Sequence, residues 1–191
     1  MVTGAVLAGG ESRRFGRNKA LEPYRGKRFI DHCVESLRLH CGPLLVVAND
    51  LSLLYDVNAT LVRDVLPHQG PLGGIYTALL FSPWEWVLVK ATDMPFLVPE
   101  LVTLLLQARE QVDVVVPTVA EYYEPLLALY HRRCLPVVAD TLQREERRIV
   151  DFYRKVKVRA VSEAEWRPAD PQGRSFWNMN TPEDWQQLQQ E

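Results

Sequence analysis

Val6-Leu7-Ala8-Gly9-Gly10-Glu11-Ser12-Arg13-Arg14-Phe15-Gly16-Arg17-Asn18-Lys19 carries an apolar run that stops at paired glycines and continues into three arginines and a lysine. It reads as a strand ending in a loop that grips phosphate. Glycine lets the backbone approach a ligand closely and reach positive φ, and successive N–H groups then form an anion-binding nest. Arg14 and Lys19 add full charges to it. The stretch predicts the triphosphate cradle of a nucleotide-using enzyme. Its plain alternative is a basic surface loop.

Spacing excludes two better-known glycine loops. A P-loop sets Lys and Ser/Thr directly after the second of two glycines five apart, whereas Gly10 stands six before Gly16 and Arg17-Asn18 follow. The dinucleotide fingerprint needs a third glycine at an offset that Gly9, Gly10 and Gly16 miss, and an acid closing the next strand.

A chain of 191 residues, 47% hydrophobic and without a Ser/Gly-rich linker, fits one domain over residues 1–191. The net charge of −2, with cations gathered near the N-terminus, argues against a nucleic-acid partner. Cys33, Cys41 and Cys134 form no C-x-x-C pair, so they suggest small core or surface thiols rather than a disulfide framework or zinc site. No uninterrupted apolar run reaches the roughly 18 residues of a membrane span. The first strand begins without a basic-then-apolar leader, so a cytoplasmic location without a membrane partner is expected. His32, His40, His68 and His131 stand singly and read as structural or surface residues.

Short apolar, β-rich runs at 5–7, 44–48, 87–89, 112–116 and 156–161 suit strands covered on both faces. Between them, Phe29, Ile30, Cys33, Val34 and Leu37 share one helical stripe, Pro99-Glu100 opens a helix through 101–110, and an apolar helix spans 75–80. This alternation predicts a three-layer α/β/α domain with a mainly parallel, Rossmann-like sheet.

In such sheets ligands sit beyond the carboxyl ends of the strands. That rule selects the opening loop, Asn49-Asp50, Asp64 with Gly70-Pro71-Leu72-Gly73-Gly74, and Ala91-Thr92-Asp93-Met94-Pro95. Asp93, at a strand end and fixed by Met-Pro, suits Mg²⁺, which takes one or two protein oxygens and fills its octahedron with water and phosphate. Its alternative is a turn cap. The glycine segment at 70–74, with Pro71 and Gly73, offers N–H groups at a helix N-terminus or is an ordinary tight loop. Asp64 is either an acceptor for base or ribose or a solvated acid. In the tail, Thr181, Pro182 and Glu183 read as helix punctuation. Asn178 and Asn180 alternate along an extended segment and would present amide groups to a metal or phosphate.

Four ordered motifs together resemble the molybdenum cofactor guanylyltransferases, within the nucleotidyltransferases of glycosyltransferase-A-like, nucleotide-diphospho-sugar-transferase-like fold. They are Leu7-Ala8-Gly9-Gly10 with Ser12, Arg14, Gly16 and Lys19; Gly70 to Gly74; Asp93-Met94-Pro95; and Asn178-Met179-Asn180-Thr181-Pro182-Glu183. The resemblance implies transfer of GMP from GTP to the terminal phosphate of molybdopterin, releasing pyrophosphate. It implies GTP contacts from Leu7, Ala8, Gly9, Lys19, Asn49, Asp64 and Asp93, with Gly10, Pro71, Gly73 and Asn178 as further candidates. Lys19, Arg14 and Asp93 would be catalytic, and Asp93 with Asn180 would hold Mg²⁺. It also implies a monomer that meets accessory biosynthetic proteins or target molybdoenzymes.

Phe15, Ala91-Thr92 and Glu124-Pro125 depart from the family's usual residues, the last standing where some relatives have His-Pro. Gly9-Gly10 and Asp93-Met94-Pro95 favour the guanylyl enzyme over cytidylyltransferases of the same cofactor, and Asn18 before Lys19 disfavours sugar-phosphate nucleotidyltransferases. A reading of another class is a nucleotide- or cofactor-binding protein without turnover.

Overall fold

The computed structural model describes residues 1–9, 19–179 and 184. Its central sheet is built from β1 (Val2–Leu7), β4 (Leu44–Ala48), β5 (Thr60–Arg63), β6 (Trp86–Ala91), β7 (Val114–Val119), β9 (Leu127–His131) and β10 (Val158–Val161) in the order β10-β7-β9-β6-β1-β4-β5. The short strand β8 (Tyr122–Tyr123) pairs with β7, and β2 (Pro23–Tyr24) with β3 (Lys27–Arg28) makes a separate ribbon. Pairings β1–β4, β1–β6, β4–β5 and β7–β10 are parallel. Only β9 runs against both of its neighbours, β6 and β7. The carboxyl ends of β5, β4, β1, β6 and β7 therefore share one rim with the amino end of β9.

All six residues of β1 and all five of β4 are buried, as expected of strands covered on both sides. Alternation along the strands divides the core. On one face Val6, Val46 and Leu88 pack with Ile30, Cys33 and Leu37 of α1 (Phe29–Arg38) and with Leu101 and Leu105 of α3 (Pro99–Gln107). On the other, Ala5, Val47 and Val89 pack with Leu72, Ile75 and Leu79 of α2 (Gly70–Phe81), Val138 of α4 (Leu135–Gln143) and Phe152 of α5 (Ile149–Phe152). The period of two along a strand is what sends successive residues into different layers.

Four local expectations are corrected. The strand expected at 112–116 runs Val114–Val119, and the one expected at 156–161 begins at Val158. The helix expected through 110 ends at Gln107. The helix expected at 75–80 already begins at Gly70, so the glycine segment forms its first turns instead of preceding it. That start is hidden in the sequence because glycine is a poor helix former. Packing overrides propensity here: a Cβ on Gly73 would stand 2.9 Å from the Leu66 carbonyl oxygen and 3.0 Å from Gln69 Cβ.

The last short helix, α6 (Glu163–Trp166), ties the C-terminal segment to the sheet. Its Trp166 donates from Nε1 to the Thr118 carbonyl at 2.8 Å and stacks on Phe176 with centroids 4.5 Å apart.

Candidate active site on the rim of the sheet

Backbone hydrogen bonds set the strand ends side by side. Ala8 N donates to Val47 O at 2.8 Å, Asp64 N to Ala48 O at 2.9 Å, and Ala91 N to Leu126 O at 3.0 Å. Leu7, Ala8 and Gly9 thus leave β1 next to the end of β4, and a Cβ on Gly9 would lie 3.7 Å from Asn49 Nδ2. Gly10 and Arg14 lie outside the described residues, as does Asn180. Lys19, the first residue of a 3₁₀ turn at Lys19–Leu21, is close enough for its charge to act on the Asp93 carboxylate.

Asp93 sits on a turn held from several sides. Its carbonyl accepts from Met179 N at 2.8 Å, so the C-terminal segment with Asn178 closes directly over it. The buried Cys33 thiol faces the carbonyls of Ala91 at 3.7 Å and Met94 at 3.8 Å. From beneath, the fully buried Lys90 donates to the Phe96 carbonyl. Burial pushes the Cys33 thiol up to about 11 and the Lys90 ammonium down to about 8. Asn178 is exposed and Met179 buried, an alternation that needs no strand pairing.

Burial lifts the Asp93 carboxyl above the usual carboxylate range, against the opposing pull of Lys19 and, more weakly, Lys90. Its Oδ1 is buried and has no hydrogen-bond donor among the described residues; the same holds for Asn49 Oδ1. Buried oxygens of this kind are normally satisfied, which makes these two candidates to face a ligand or ion. An unpaired carboxylate oxygen on a rim of oxygen donors fits a hard cation such as Mg²⁺. Among the described residues no group of three or more His, Cys, Asp or Glu gathers, so most of such an ion's shell would come from substrate phosphate and water.

Asp64 is not a solvated acid. Its Oδ1 accepts from Thr77 Oγ1 at 2.7 Å and from Leu66 N at 3.1 Å, and Thr77 Oγ1 in turn accepts from Val65 N at 3.2 Å. This network fastens the loop after β5 to α2. Its other oxygen, Oδ2, lies 3.5 Å from where a Cβ on Gly73 would stand. Gly73 is buried and Pro71, in the first turn of α2, is exposed. Thr77→Val should lower unfolding stability by about 1–3 kcal/mol in urea titration, because it removes one of two donors from the part-buried Asp64 oxygen and takes the acceptor from Val65 N.

Sequence reading missed Lys90 and Thr77. Lys90 stands one residue past the apolar run at 87–89, and its burial under the Asp93 turn has no local signal.

A family model described as MobA-like NTP transferase domain matches residues 4–159. The chain belongs to that family. It is 40% identical over 185 residues to the molybdenum cofactor guanylyltransferase of Desulfosudis oleivorans, covering 96% of this chain and 92% of the relative. A probable molybdenum cofactor guanylyltransferase of Carboxydothermus hydrogenoformans is 39% identical, with 98% and 94% covered. The crystal structure of molybdopterin-guanine dinucleotide biosynthesis protein A from Archaeoglobus fulgidus superposes with a TM-score of 0.85 at 28% identity, covering 98% of this chain and 97% of that one. The α/β fold expected from the alternation of strands and helices and the family expected from four motifs are thus the ones found. The chain is a nucleotidyltransferase, and among its described residues no helix is long and apolar enough to cross a membrane.

Proposed function

We propose that this rim carries Mg²⁺-dependent guanylyl transfer from GTP to molybdopterin. The observation that carries the reading is the convergence of Gly9, Asn49, Asp64 and Asp93 at neighbouring strand ends, with buried oxygens of Asn49 and Asp93 left without donors. The names of the relatives supply the nucleotide and acceptor.

In this reading Gly9 lets the triphosphate approach the backbone closely, and Asn49 and Asp64 hold the nucleoside. Lys19, with Arg14, neutralises phosphate charge. Asp93 and Asn180 would hold Mg²⁺, which when bound supplies further neutralisation of the triphosphate. A terminal phosphate oxygen of molybdopterin attacks the α-phosphorus of GTP; that P–O bond forms as the α–β bridging bond breaks, and pyrophosphate leaves. The nucleophile is already anionic at neutral pH, so no general base is required. Positioning and charge neutralisation carry the rate.

Lys19→Ala should lower pyrophosphate release by roughly 100-fold, the usual cost of losing a charge-stabilising group. Wild-type rates in that variant would remove Lys19 from the mechanism. A cytoplasmic enzyme acting as a monomer, alongside accessory proteins of cofactor biosynthesis, belongs to the same reading.

A further inference from the structure

On the rim, the nucleotide candidates occupy one side of Asp93. Gly9, Asn49 and Asp64 follow β1, β4 and β5. An in-line displacement puts the entering and leaving groups on opposite sides of the α-phosphorus. The flank left for the acceptor is the one formed by β9 and β7.

That flank has its own built features. The bond from Ala91 N to Leu126 O sets the turn at Glu124 beside the Asp93 strand end, and Glu124 N is anchored to Pro117 O at 2.8 Å. The Glu124 carboxylate is partly buried, accepts from Leu126 N, and has no cation paired with it among the described residues. Burial and the nearby Asp93 charge lift its carboxyl above the ordinary range. Next to it, Tyr130 OH donates to Pro125 O at 2.7 Å and meets Tyr153 OH at 2.9 Å, and Tyr123 stands edge-on to Tyr153 at 5.3 Å while 42% exposed. Tyr123 sits on a two-residue hairpin whose tip, Ala120 and Glu121, takes φ of 48° and 69°. Positive φ at both loop residues is what a tight two-residue hairpin turn requires. Glu163 holds the tip through Ala120 N at 3.3 Å.

We infer that Glu124 and Tyr123 form the acceptor subsite, the Glu124 carboxylate pairing with the 2-amino-4-oxopyrimidine edge of the pterin and the Tyr123 ring lying against its face. This rests on the guanylyl-transfer reading above. A pterin offers a ring N–H and an adjacent amino group as two in-plane donors, and an ionised carboxylate is an acceptor-only group that takes two donors side by side. A partly buried carboxylate without a cation calls for such donors. Glutamine at this place would present one donor against that edge.

The test compares wild type, Glu124→Gln and Tyr123→Ala. Steady-state pyrophosphate release gives the KM for molybdopterin and for GTP, and fluorescence titration gives the binding of pterin against lumazine, which lacks the amino group. Glu124→Gln should raise the molybdopterin KM roughly ten- to a hundred-fold, leave the GTP KM unchanged and erase a wild-type preference for pterin. Tyr123→Ala should weaken both pterins and keep the preference. An unchanged molybdopterin KM in Glu124→Gln, a changed GTP KM in its place, or equal wild-type binding of pterin and lumazine would overturn the assignment. The last comparison needs no variant to fold. Absence of wild-type turnover with GTP and molybdopterin would overturn the guanylyl-transfer reading and the assignment with it; normal wild-type turnover with an unaltered variant would overturn the assignment alone.

Discussion

Asp93→Ala should lower pyrophosphate release from GTP by roughly 100-fold or more, with the protein still folded. The carboxylate stands at the end of the central strand β6, under a chain segment bonded to its own carbonyl, with one buried oxygen left open. The same arrangement costs the metal-free protein stability. Because burial lifts the folded pKa of Asp93 above the unfolded value, its contribution is whole below the unfolded carboxylate pKa and is lost as pH rises through the folded one. Asp93→Asn keeps the shape without the charge. It should therefore raise the melting temperature of the Mg²⁺-free protein at pH 7, have little effect near pH 4, and still abolish turnover. Calorimetry at the two pH values, beside a pyrophosphate assay, checks both halves. A lower melting temperature at pH 7 would mean that the ionised carboxylate is satisfied by neighbouring cations instead of by a ligand.

Trp166→Ala should cost about 3–5 kcal/mol of unfolding free energy, the range for deleting a buried large aromatic. The ring is 1% exposed, donates to the Thr118 carbonyl and stacks on Phe176. Its loss would be felt at the site as well as in the core. The chain running from Asp170 through Met179 is fastened at one end by that stacking, by Asp170 accepting from Arg174 N at 2.9 Å and Ser175 N at 2.8 Å, and by Val98 N donating to Ser175 Oγ at 2.9 Å. Its other end reaches the Asp93 carbonyl. Urea unfolding should show the loss, and the KM for GTP should rise in step as the segment over Asp93 loosens. A melting temperature matching the wild type would mean that α6 is not an anchor.

Most of this architecture was legible where sequence pattern and tertiary role coincide. The run at 44–48 is buried on both faces and is the observed β4 to the residue, because full burial leaves a continuous apolar signature. The stripe from Phe29 to Leu37 likewise matches α1. Elements decided by pairing were not legible. Strand β9 runs antiparallel between two parallel neighbours, and no residue in Leu127–His131 encodes that direction. Strand β5 buries only Val62 of its four residues, too little of an apolar run to stand out. In the site, Asp93 announced itself by its place before Met-Pro, and Asp64 by standing ahead of the glycine segment at 70–74; the hydrogen bonds that commit Asp64 to Thr77 depend on α2 folding back across the sheet. Glu124 stands out in the sequence as a departure from the family's residues, and its place beside Asp93 follows from the β6–β9 register.

The most direct measurement is pyrophosphate release by the purified protein with molybdopterin, Mg²⁺ and each of GTP, CTP, ATP and UTP in turn. Release with GTP, dependent on molybdopterin and lost in Asp93→Ala, is the predicted result. Release that is equal or greater with CTP, or none with any nucleotide, would contradict guanylyl transfer.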